Sequence, residues 1–265
     1  MAEGRTADLG AGLRGQRVLV TAGAAGIGLA IAGRLIAHGA RVFVCDVADA
    51  ALESFAAEFP QAGRIKADVS AEADVDRMFD AVARDLGGLD ALINNAGIAG
   101  PTGAVEDIDP GAWRRCIDIC LTGQFLCARR AVPMLKAAGG GSIVNMSSAA
   151  GRHGYAFRTP YSSAKFGVIG LTQSLAKELG PSNIRVNAIL PGIVEGPRME
   201  GVIRDRAAQV GVSYAEMEAK YLERISLRRM VSPHDVAAMV AVLLSDAGRN
   251  LSGQAIGVDG NVETL

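Results

Sequence analysis

The sequence predicts a single α/β domain built on a seven-stranded parallel sheet with helices on both faces. Short β-branched and aliphatic runs alternate with longer amphipathic stretches along the chain, which is typical of βαβ units. The 265 residues are 49% hydrophobic but only 5% aromatic, so the core is expected to consist of aliphatic side chains, as in buried parallel sheets. No linker rich in proline or serine divides the chain, and no repeat period is present.

Seven short runs rich in β-branched and aliphatic residues are the predicted strands. They are Arg17–Thr21, Arg41–Cys45, Arg64–Ala67, Ala91–Ile93, Ser142–Asn145, Arg185–Ile189 and Ala255–Val258. The stretches between them have the apolar spacing of amphipathic helices. The predicted helices cover residues 26–38, 49–58, 72–86, 110–138, 160–180 and 233–245. Strict alternation of strand and helix predicts a doubly wound sheet.

One insertion departs from this alternation, at about residues 193–226, after the sixth predicted strand. Within it, Ser213 and Glu216 have the spacing of a capping box, so a short helix is expected to begin near Tyr214. An insertion at the carboxyl end of a parallel strand is well placed to cover a ligand crevice. We therefore expect residues 13–265 to form one domain with a substrate loop at 193–226; a plain surface excursion is the alternative.

Composition and charge argue against several classes of function. A formal net charge of -1 gives no bulk electrostatic reason to expect binding to nucleic acid or to anionic membranes. No apolar run reaches the ~20 residues that span a bilayer, and residues 1–12 have the character of a loose tail without the apolar centre of a signal peptide. A cytoplasmic protein without metal is expected, since the cysteines lack metal-ligand spacing and suit small buried positions. They are Cys45, Cys116, Cys120 and Cys127.

A turn of small residues follows the first predicted strand and precedes the first predicted helix. Small residues let the backbone approach a pyrophosphate, and the N-terminus of the following helix presents N–H groups and the positive end of its dipole. A glycine-rich stretch is weak by itself, but its position between strand and helix favours dinucleotide binding. The candidate residues of this turn are Ala22, Gly23, Ala25, Gly26, Ile27 and Gly28.

Two aspartates at strand ends are candidates for the adenosine half of a dinucleotide. Asp46 follows the second strand, about twenty residues after the glycine turn, where a carboxylate accepts hydrogen bonds from ribose hydroxyls and repels a 2′-phosphate. Because the turn also carries no Arg or Lys, we expect NAD(H) rather than NADP(H). Asp68, after the third strand, is a candidate partner for the adenine amino group, although an isolated Asp at a strand end is more often a cap.

The candidate catalytic residues lie in and before the helix that follows Pro160. Tyr161 and Lys165 stand four residues apart, so they share one helical face. A free tyrosine is a poor base at neutral pH, but an ammonium one turn away and a positive nicotinamide favour the phenolate. Tyr161 can then take a proton from an alcohol, while Ser148, after the fifth strand, can hold the substrate oxygen. By itself, however, a Tyr-x-x-x-Lys pair is common and more often marks a surface face of a helix.

An ordered set of motifs gives this chain a resemblance that covers nearly all of it, from Leu13 to Val262. The motifs are TAGAAGIG, DV at Asp68–Val69, NNAG at Asn94–Gly97, SSAAG before YSSAK, PGIV at Pro191–Val194 and SGQAIGVDG near the end. With them the chain resembles the short-chain dehydrogenase/reductase family. The resemblance implies a Rossmann fold, a nicotinamide cofactor and hydride transfer between that cofactor and a secondary alcohol or ketone.

The resemblance also implies roles for individual residues. Tyr161 is implied as the acid/base, Lys165 as the partner of the nicotinamide ribose and Ser148 as the partner of the substrate oxygen. The further residues that it places against the cofactor are Val69, Asn95 and Val194, the last through backbone groups. It implies a homotetramer assembled through the two longest helices, at 110–138 and 160–180, with whose apolar positions such packing is compatible.

Three positions depart from the pattern of the family. The first glycine of the glycine turn is Ala22; alanine is tolerable if this residue keeps a negative φ, so we expect a small change in geometry rather than lost binding. The threonine often found shortly after the PG pair is replaced by Gly196, so one contact to the nicotinamide end is expected to be missing or supplied elsewhere. Cys120 replaces an asparagine that supports a water-linked proton path from the lysine, and activity is expected to survive because a backbone carbonyl can hold that water.

The substrate is less determined than the reaction. Charged and aromatic residues near the catalytic pair are Arg152, His153, Tyr155, Phe157, Arg158, Glu195, Arg198 and Glu200. Cations among them could bind a carboxylate, sulfonate or phosphate, although solvated charges are the plainer interpretation. Such a lining suits a small sugar, polyol or hydroxy acid better than a steroid. The alternatives are a 3-oxoacyl-carrier-protein reductase, which usually takes NADPH, and a non-enzymatic NAD-binding scaffold.

Overall fold

The computed structural model describes residues 12–262, apart from the side chains of Arg198 and Gln209. The predicted tail, residues 1–12, lies outside this range except for its last residue. No helix within the described range combines the length and apolarity needed to cross a membrane.

The seven predicted strands are confirmed, each with both ends within two residues of the expected position. They are β1 (Arg17–Thr21), β2 (Arg41–Asp46), β3 (Gly63–Lys66), β4 (Ala91–Asn94), β5 (Gly141–Met146), β6 (Ile184–Pro191) and β7 (Ala255–Val258). All strand pairs are parallel, and the order across the sheet is β3-β2-β1-β4-β5-β6-β7. The order reverses between β1 and β4, which is the switch point where ligands bind in doubly wound sheets.

Nine α-helices lie within the described range. They are α1 (Gly26–Ala37), α2 (Asp49–Glu58), α3 (Glu72–Leu86), α4 (Pro110–Ile117), α5 (Gly123–Ala137), α6 (Thr159–Leu179), α7 (Pro197–Val210), α8 (Tyr214–Leu222) and α9 (Pro233–Leu244). The predicted helix at 110–138 is divided, because a π-helical turn at Asp118–Thr122 separates α4 from α5. The predicted capping box is present in the insertion, where the Ser213 and Glu216 side chains each bond the other's backbone N–H at the start of α8. Helix α7 was not predicted.

The sheet divides the core into two layers, because alternate side chains of a strand point to opposite faces. Val18 and Val20 of β1 are fully buried on the face covered by α1 and α9, whereas Leu19 is fully buried on the face covered by α3 and α5. Burying each such aliphatic side chain contributes about 1.5–3 kcal/mol. The two filled layers hold the carboxyl ends of the strands in fixed positions, and the turns that follow them form one edge of the molecule.

All four cysteines are buried, as the sequence predicted. Burial raises the pKa of the Cys45 thiol to about 12, and it raises the pKa of Cys127 as well. The pKa of the Cys116 thiol is also raised, mainly by a side-chain hydrogen bond with Cys120 and secondly by burial. These three side chains are therefore uncharged thiols at neutral pH and act as small core residues.

Candidate active site

A cavity of about 590 Å³ opens at the carboxyl edge of the sheet. Its walls come from the segments that follow β1, β4, β5 and β6, together with α6 and the insertion. Ala22, Asn95, Ser148 and Val194 represent these four segments in the lining. Residues far apart in the chain thus meet at the switch point of the strand order.

The glycine turn has a backbone conformation that the sequence did not anticipate. Ala22 has a φ of +48°, in the left-handed region, so the condition that it keeps a negative φ is not met. In this conformation the Ala22 carbonyl lies against Gly28, where a Cβ would be 2.0 Å from the carbonyl oxygen. Asn95 Nδ2 donates to the Thr21 and Ala22 carbonyls at 3.0 Å each. Tertiary packing and the Asn95 amide therefore hold an alanine in a conformation that favours glycine.

The N-terminus of α1 faces the cavity with backbone donors available. Its N-cap, Ala25, makes no side-chain capping bond, and the first turn has no acidic residue. Ala25, Gly26 and Ile27 line the cavity, so their backbone lies within reach of a ligand. Uncapped N–H groups at a helix N-terminus fit a pyrophosphate. Gly23 does not line the cavity; a Cβ there would meet the Val44 side chain at 2.7 Å.

Asp46 ends β2 and lines the cavity while only 9% exposed. Its Oδ2 accepts a hydrogen bond from Ala24 N at 3.4 Å, and its Oδ1 accepts from Ala48 N at 3.2 Å. These backbone bonds hold the carboxylate beside the glycine turn. The residues that carry the cations of the described lining are Arg158, Lys165 and Arg224, all of which belong to the catalytic segment or the insertion.

Asp68 and Val69 lie outside the described cavity lining. Asp68 accepts hydrogen bonds from Ser70 N at 2.9 Å and Ser70 Oγ at 2.6 Å, and Arg115 lies 3.7 Å from its other oxygen. Burial opposes ionisation of Asp68, but the Ser70 bonds and the Arg115 charge outweigh it and hold the pKa of Asp68 below its usual value. Val69 packs against Gly123, where a Cβ would lie 2.8 Å from Val69 Cγ2. Both residues thus have structural partners of their own.

Val194 lines the cavity on the far side, after β6. Its segment is fixed by pairing with Val231: Val231 N donates to Ile193 O at 2.8 Å, and Glu195 N donates to Val231 O at 2.9 Å. Gly196, which replaces the threonine expected there, has a φ of +135° and is the N-cap of α7. The segment after β6 therefore turns directly into the insertion.

Ser148, Tyr161 and Lys165 all line the same cavity. Ser148 follows β5 and caps a short 3₁₀ turn, with its Oγ accepting from Ala150 N at 3.2 Å. Tyr161 lies in the first turn of α6, whose second residue, Pro160, needs no N–H partner. Lys165 is 3% exposed, and its Nζ donates to Met146 O at 2.8 Å and lies 5.6 Å from the centroid of the Tyr161 ring. Lys165 therefore lies one helical turn from Tyr161 with its ammonium fixed by a backbone carbonyl.

Gln124 is a buried residue of this site that the sequence analysis did not identify. Its Nε2 donates to the Met146 carbonyl at 3.1 Å, which is the same oxygen that accepts from Lys165 Nζ. It also donates to the Cys120 carbonyl at 3.0 Å. No local pattern marks Gln124, because Met146 O, the acceptor that it shares with Lys165, lies on β5.

The π-helical turn places Cys120 between α4 and the segment after β4. Cys120 Sγ accepts from Ile98 N at 3.3 Å and donates to Ile98 O at 3.4 Å. Cys120 and Lys165 both lie close to Gly97, because a Cβ at Gly97 would be 3.4 Å from Lys165 Nζ and 3.7 Å from Cys120 Sγ. The thiol therefore ties the segment after β4 to the π-helical turn close to Lys165.

The charged residues that lie near Tyr161 and Lys165 in the sequence do not all reach the cavity. Arg158 lines the cavity; its guanidinium carbon lies 4.9 Å from the centroid of the Tyr161 ring and 5.4 Å from that of Tyr155. Arg152 is exposed and donates from Nη2 to Ala255 O at 2.9 Å, outside the described lining. Glu195 belongs to the lining, and the Arg198 side chain lies outside the described residues. Only some of the charges that are neighbours in sequence thus reach the substrate space.

Comparisons with known proteins agree with this geometry. A family model described as Enoyl-(Acyl carrier protein) reductase matches residues 22–262. The cis-4-hydroxycyclohexanecarboxylate dehydrogenase of Sinomonas cyclohexanicum is 40% identical over 250 residues, which are 92% of this chain and 96% of the relative. The structure of actinorhodin polyketide ketoreductase with NADPH has a TM-score of 0.89 and 33% identity, covering 96% of this chain and 100% of that one. NAD+-bound xylitol dehydrogenase has a TM-score of 0.87 and 30% identity, covering 94% and 99%.

The doubly wound sheet and the cavity at its switch point define a nicotinamide-dependent oxidoreductase. The chain belongs to the short-chain dehydrogenase/reductase family. It is accordingly an enzyme that interconverts secondary alcohols and ketones, which removes the alternative of a non-enzymatic scaffold.

Proposed function

We propose that this enzyme is an NAD(H)-dependent dehydrogenase of a small polar alcohol, with Tyr161 as the acid/base. The observation that carries the proposal is the convergence of Ser148, Tyr161 and Lys165 on one cavity whose other half contains the glycine turn and Asp46. The two halves suit a small substrate and a dinucleotide, respectively.

The chemistry of the chain's own residues follows from their placement. In the oxidative direction, the Tyr161 phenolate takes the hydroxyl proton of the substrate, and Ser148 Oγ holds the substrate oxygen. The Lys165 ammonium favours the phenolate, and its bond to Met146 O fixes its position. Gln124 shares that carbonyl and thereby keeps the lysine's anchor in place. A bound nicotinamide supplies the hydride acceptor.

The cofactor half fits NAD(H) by its donors and charges. The uncapped N-terminus of α1 would hold the pyrophosphate through the backbone of Ala25, Gly26 and Ile27. Asp46 would accept the ribose hydroxyls and repel a 2′-phosphate. Asn95 and Val194 line the same cavity and would lie against the nicotinamide half. Asp68 and Val69, outside the described lining, are proposed for the adenine end only by the resemblance to the family.

Replacement of the acid/base tests this mechanism directly. We expect Tyr161→Phe to lower kcat by about a thousandfold, within the usual range for general acid–base catalysis. Binding of NADH, followed by its fluorescence, is expected to stay within about threefold of the wild type, because the phenol oxygen is all that is lost. Tyr214→Phe, on α8 outside the described lining, is the matched control and is expected to keep its activity. Full turnover by Tyr161→Phe would overturn the assignment.

The substrate class rests on the cavity and on the relatives. One relative is a hydroxycyclohexanecarboxylate dehydrogenase and one neighbour is a xylitol dehydrogenase, so hydroxy acids, polyols and sugars form the proposed range. A panel of these alcohols with NAD+, read by NADH absorbance, tests it. Turnover of none of them at millimolar concentration would contradict the proposal.

A ketoreductase acting on carrier-bound acyl groups is the second candidate. The polyketide ketoreductase structure with NADPH favours it. Asp46 beside the glycine turn argues against it, because its charge disfavours the 2′-phosphate of NADPH. A preference for NADPH over NADH with a β-ketoacyl thioester would favour this candidate over the dehydrogenase.

We further propose a homotetramer in the cytoplasm, assembled through α5 and α6. Phe125 on α5 and Phe166 on α6 are 48% and 47% exposed, although large aromatic side chains usually lie buried. A contact between copies of the chain would cover both rings.

A further inference from the structure

The substrate half of the cavity contains a cation whose hydrogen-bonding capacity the protein leaves largely unused. Resting on the proposed function, we infer that Arg158 binds a carboxylate of the substrate, so that the enzyme acts on a compact hydroxy acid or the matching keto acid. The carboxylate would then lie close to Tyr161, whose oxygen takes the proton of the reacting hydroxyl.

Arg158 is held in a defined orientation at the start of α6. Its Nη2 donates to the Ala99 carbonyl at 2.6 Å. Its guanidinium carbon lies 4.9 Å from the centroid of the Tyr161 ring and 5.4 Å from that of Tyr155, within the range of cation–π attraction. A guanidinium fixed in this way is preorganised for a ligand.

The donors of Arg158 are incompletely satisfied. A guanidinium has five N–H donors in a planar fork that matches a carboxylate. Among the residues that the structure describes, its one hydrogen-bond acceptor is Ala99 O, and Nε is buried without a partner. No ion pair joins it to a carboxylate of the described chain. An acceptor from a ligand would complement this partly desolvated cation.

The other charges of the cavity leave this role to Arg158. Lys165 already donates to Met146 O. Asp46 and Glu195 are the carboxylates of the described lining; Asp46 is held by backbone N–H groups beside the glycine turn, and Glu195 is exposed. Arg224, which is exposed at the edge, adds a second positive charge to the substrate half. The positive charges near Tyr161 therefore outnumber the negative ones, and this excess favours binding of an anion.

The position of Arg158 also limits the size of the acid. Its contact with the Tyr161 ring places the carboxylate within a few carbon atoms of the carbon that carries the hydroxyl. Ile98, Met199 and Val202 line the same cavity and can contact the hydrocarbon between the two groups. A short linear or a single-ring hydroxy acid meets both conditions.

The test compares an acid with its ester, because esterification removes the charge and little else. The probes are 4-hydroxycyclohexanecarboxylate and 3-hydroxybutanoate, each with its methyl ester, in the presence of NAD+. We expect the wild type to prefer the acids. Arg158→Met is expected to lower kcat/KM for the acids by about 10- to 100-fold more than for the esters, mainly through KM, as for loss of a hydrogen bond to a charged group.

Two further variants make the comparison specific. Arg152→Met removes the same charge six residues away, outside the described lining, and is expected to change the acid-to-ester ratio by less than about threefold. Arg158→Lys keeps the charge but loses the planar fork, so a fall of about fivefold in that ratio is expected. If Arg158→Met does not fold, as judged by circular dichroism, Arg158→Lys supplies the same comparison.

A binding measurement separates failure of this inference from failure of the proposed function. Calorimetry with cyclohexanecarboxylate and its methyl ester needs no turnover, and the acid is expected to lose at least tenfold in affinity in Arg158→Met. If no probe is oxidised but the acid binds through Arg158, the proposed substrates are wrong and the carboxylate site stands. An equal loss of kcat for acids and esters would show that Arg158 acts only on Tyr161. That result, or a wild-type preference for esters, would overturn the inference.

Discussion

Ala22 shows at the scale of one residue how a fold can hold an unfavourable backbone. A left-handed φ costs an L-residue about 1–2 kcal/mol, whereas glycine adopts it freely but loses about 0.5–1 kcal/mol more conformational entropy on folding. Since Ala22 has a φ of +48°, we expect Ala22→Gly to stabilise the protein by about 0.5–1 kcal/mol. Urea denaturation at neutral pH measures the change.

A neighbouring alanine provides the control for that substitution. Ala25 lies in the same turn with a φ of -147°, which any residue adopts. Glycine there costs entropy of the unfolded chain but is a better N-cap than alanine, so Ala25→Gly is expected to change the stability by less than about 0.5 kcal/mol. An equal gain in stability in both variants would show that strain at Ala22 is not what distinguishes them.

Asp46 is the second residue whose placement makes a sharp prediction. We expect Asp46→Ala to narrow the preference for NAD(H) over NADP(H) by at least tenfold. The variant loses the negative charge that repels a 2′-phosphate, and it also loses the carboxylate that accepts hydrogen bonds from the ribose hydroxyls. The measurement is kcat/KM with each cofactor. Asp49→Ala, on α2, is the control, since Asp49 pairs with Lys66 outside the described lining. Unchanged selectivity in Asp46→Ala would place cofactor discrimination elsewhere.

The π-helical turn is the element that most distinguishes the predicted helix at 110–138 from the observed one. Apolar spacing predicts a continuous helix there, because the pattern on either side of the turn is helical. The turn is held by contacts across the fold, since Cys120 pairs with Ile98 and Gln124 bonds the Met146 carbonyl. Such turns are frequent at functional sites, and this one lies close to Lys165.

Substitution of Cys120 tests the role of this turn. An amide can both accept from Ile98 N and donate to Ile98 O, as the thiol does, so Cys120→Asn is expected to change kcat by less than about fivefold. Cys120→Ala leaves both Ile98 groups without that partner and is expected to cost about 1–3 kcal/mol of stability. Steady-state kinetics and urea denaturation measure the two effects. A thousandfold loss of rate in Cys120→Asn would reveal a chemical role for the thiol.

The insertion illustrates where local signals are informative. Ser213 and Glu216 predicted the start of α8, because a capping box satisfies the first N–H groups of a helix by local contacts. Helix α7 has no side-chain capping bond at its start, and its core contacts come from one small cluster with Ile203 and Met217. Its prediction would have required knowing that α8 packs against it.

At the scale of the whole molecule, the proposed assembly depends on two exposed aromatic rings. Burial of apolar surface drives most association, and charged residues are depleted from the cores of interfaces. We therefore expect the double substitution Phe125→Glu and Phe166→Glu to shift a tetramer to smaller species in sedimentation velocity at micromolar concentration. Val105→Glu, which changes a 69% exposed residue on another element, is expected to leave the mass unchanged. A tetramer that survives the double substitution would exclude this interface.

The sequence by itself determined the order of the strands along the chain, their ends to within two residues, and the candidate catalytic residues. These features depend on interactions between near neighbours in the chain: the two-residue period of a strand, the one-turn spacing of Tyr161 and Lys165, and the position of Asp46 at a strand end. A local pattern suffices for the strands because the backbone geometry that produces it is local, whereas the Tyr161–Lys165 pair gained its specificity from the whole ordered set of motifs.

Only the tertiary structure decided the conformation of Ala22, the choice of Arg158 over Arg152 as a cation of the cavity, and the contact of Gln124 with the anchor of Lys165. Each depends on groups distant in the chain that the sheet brings together, since the Met146 carbonyl lies 22 residues from Gln124 and 19 from Lys165. The packing of helices on the sheet fixes such distances, and no spacing within one segment encodes them.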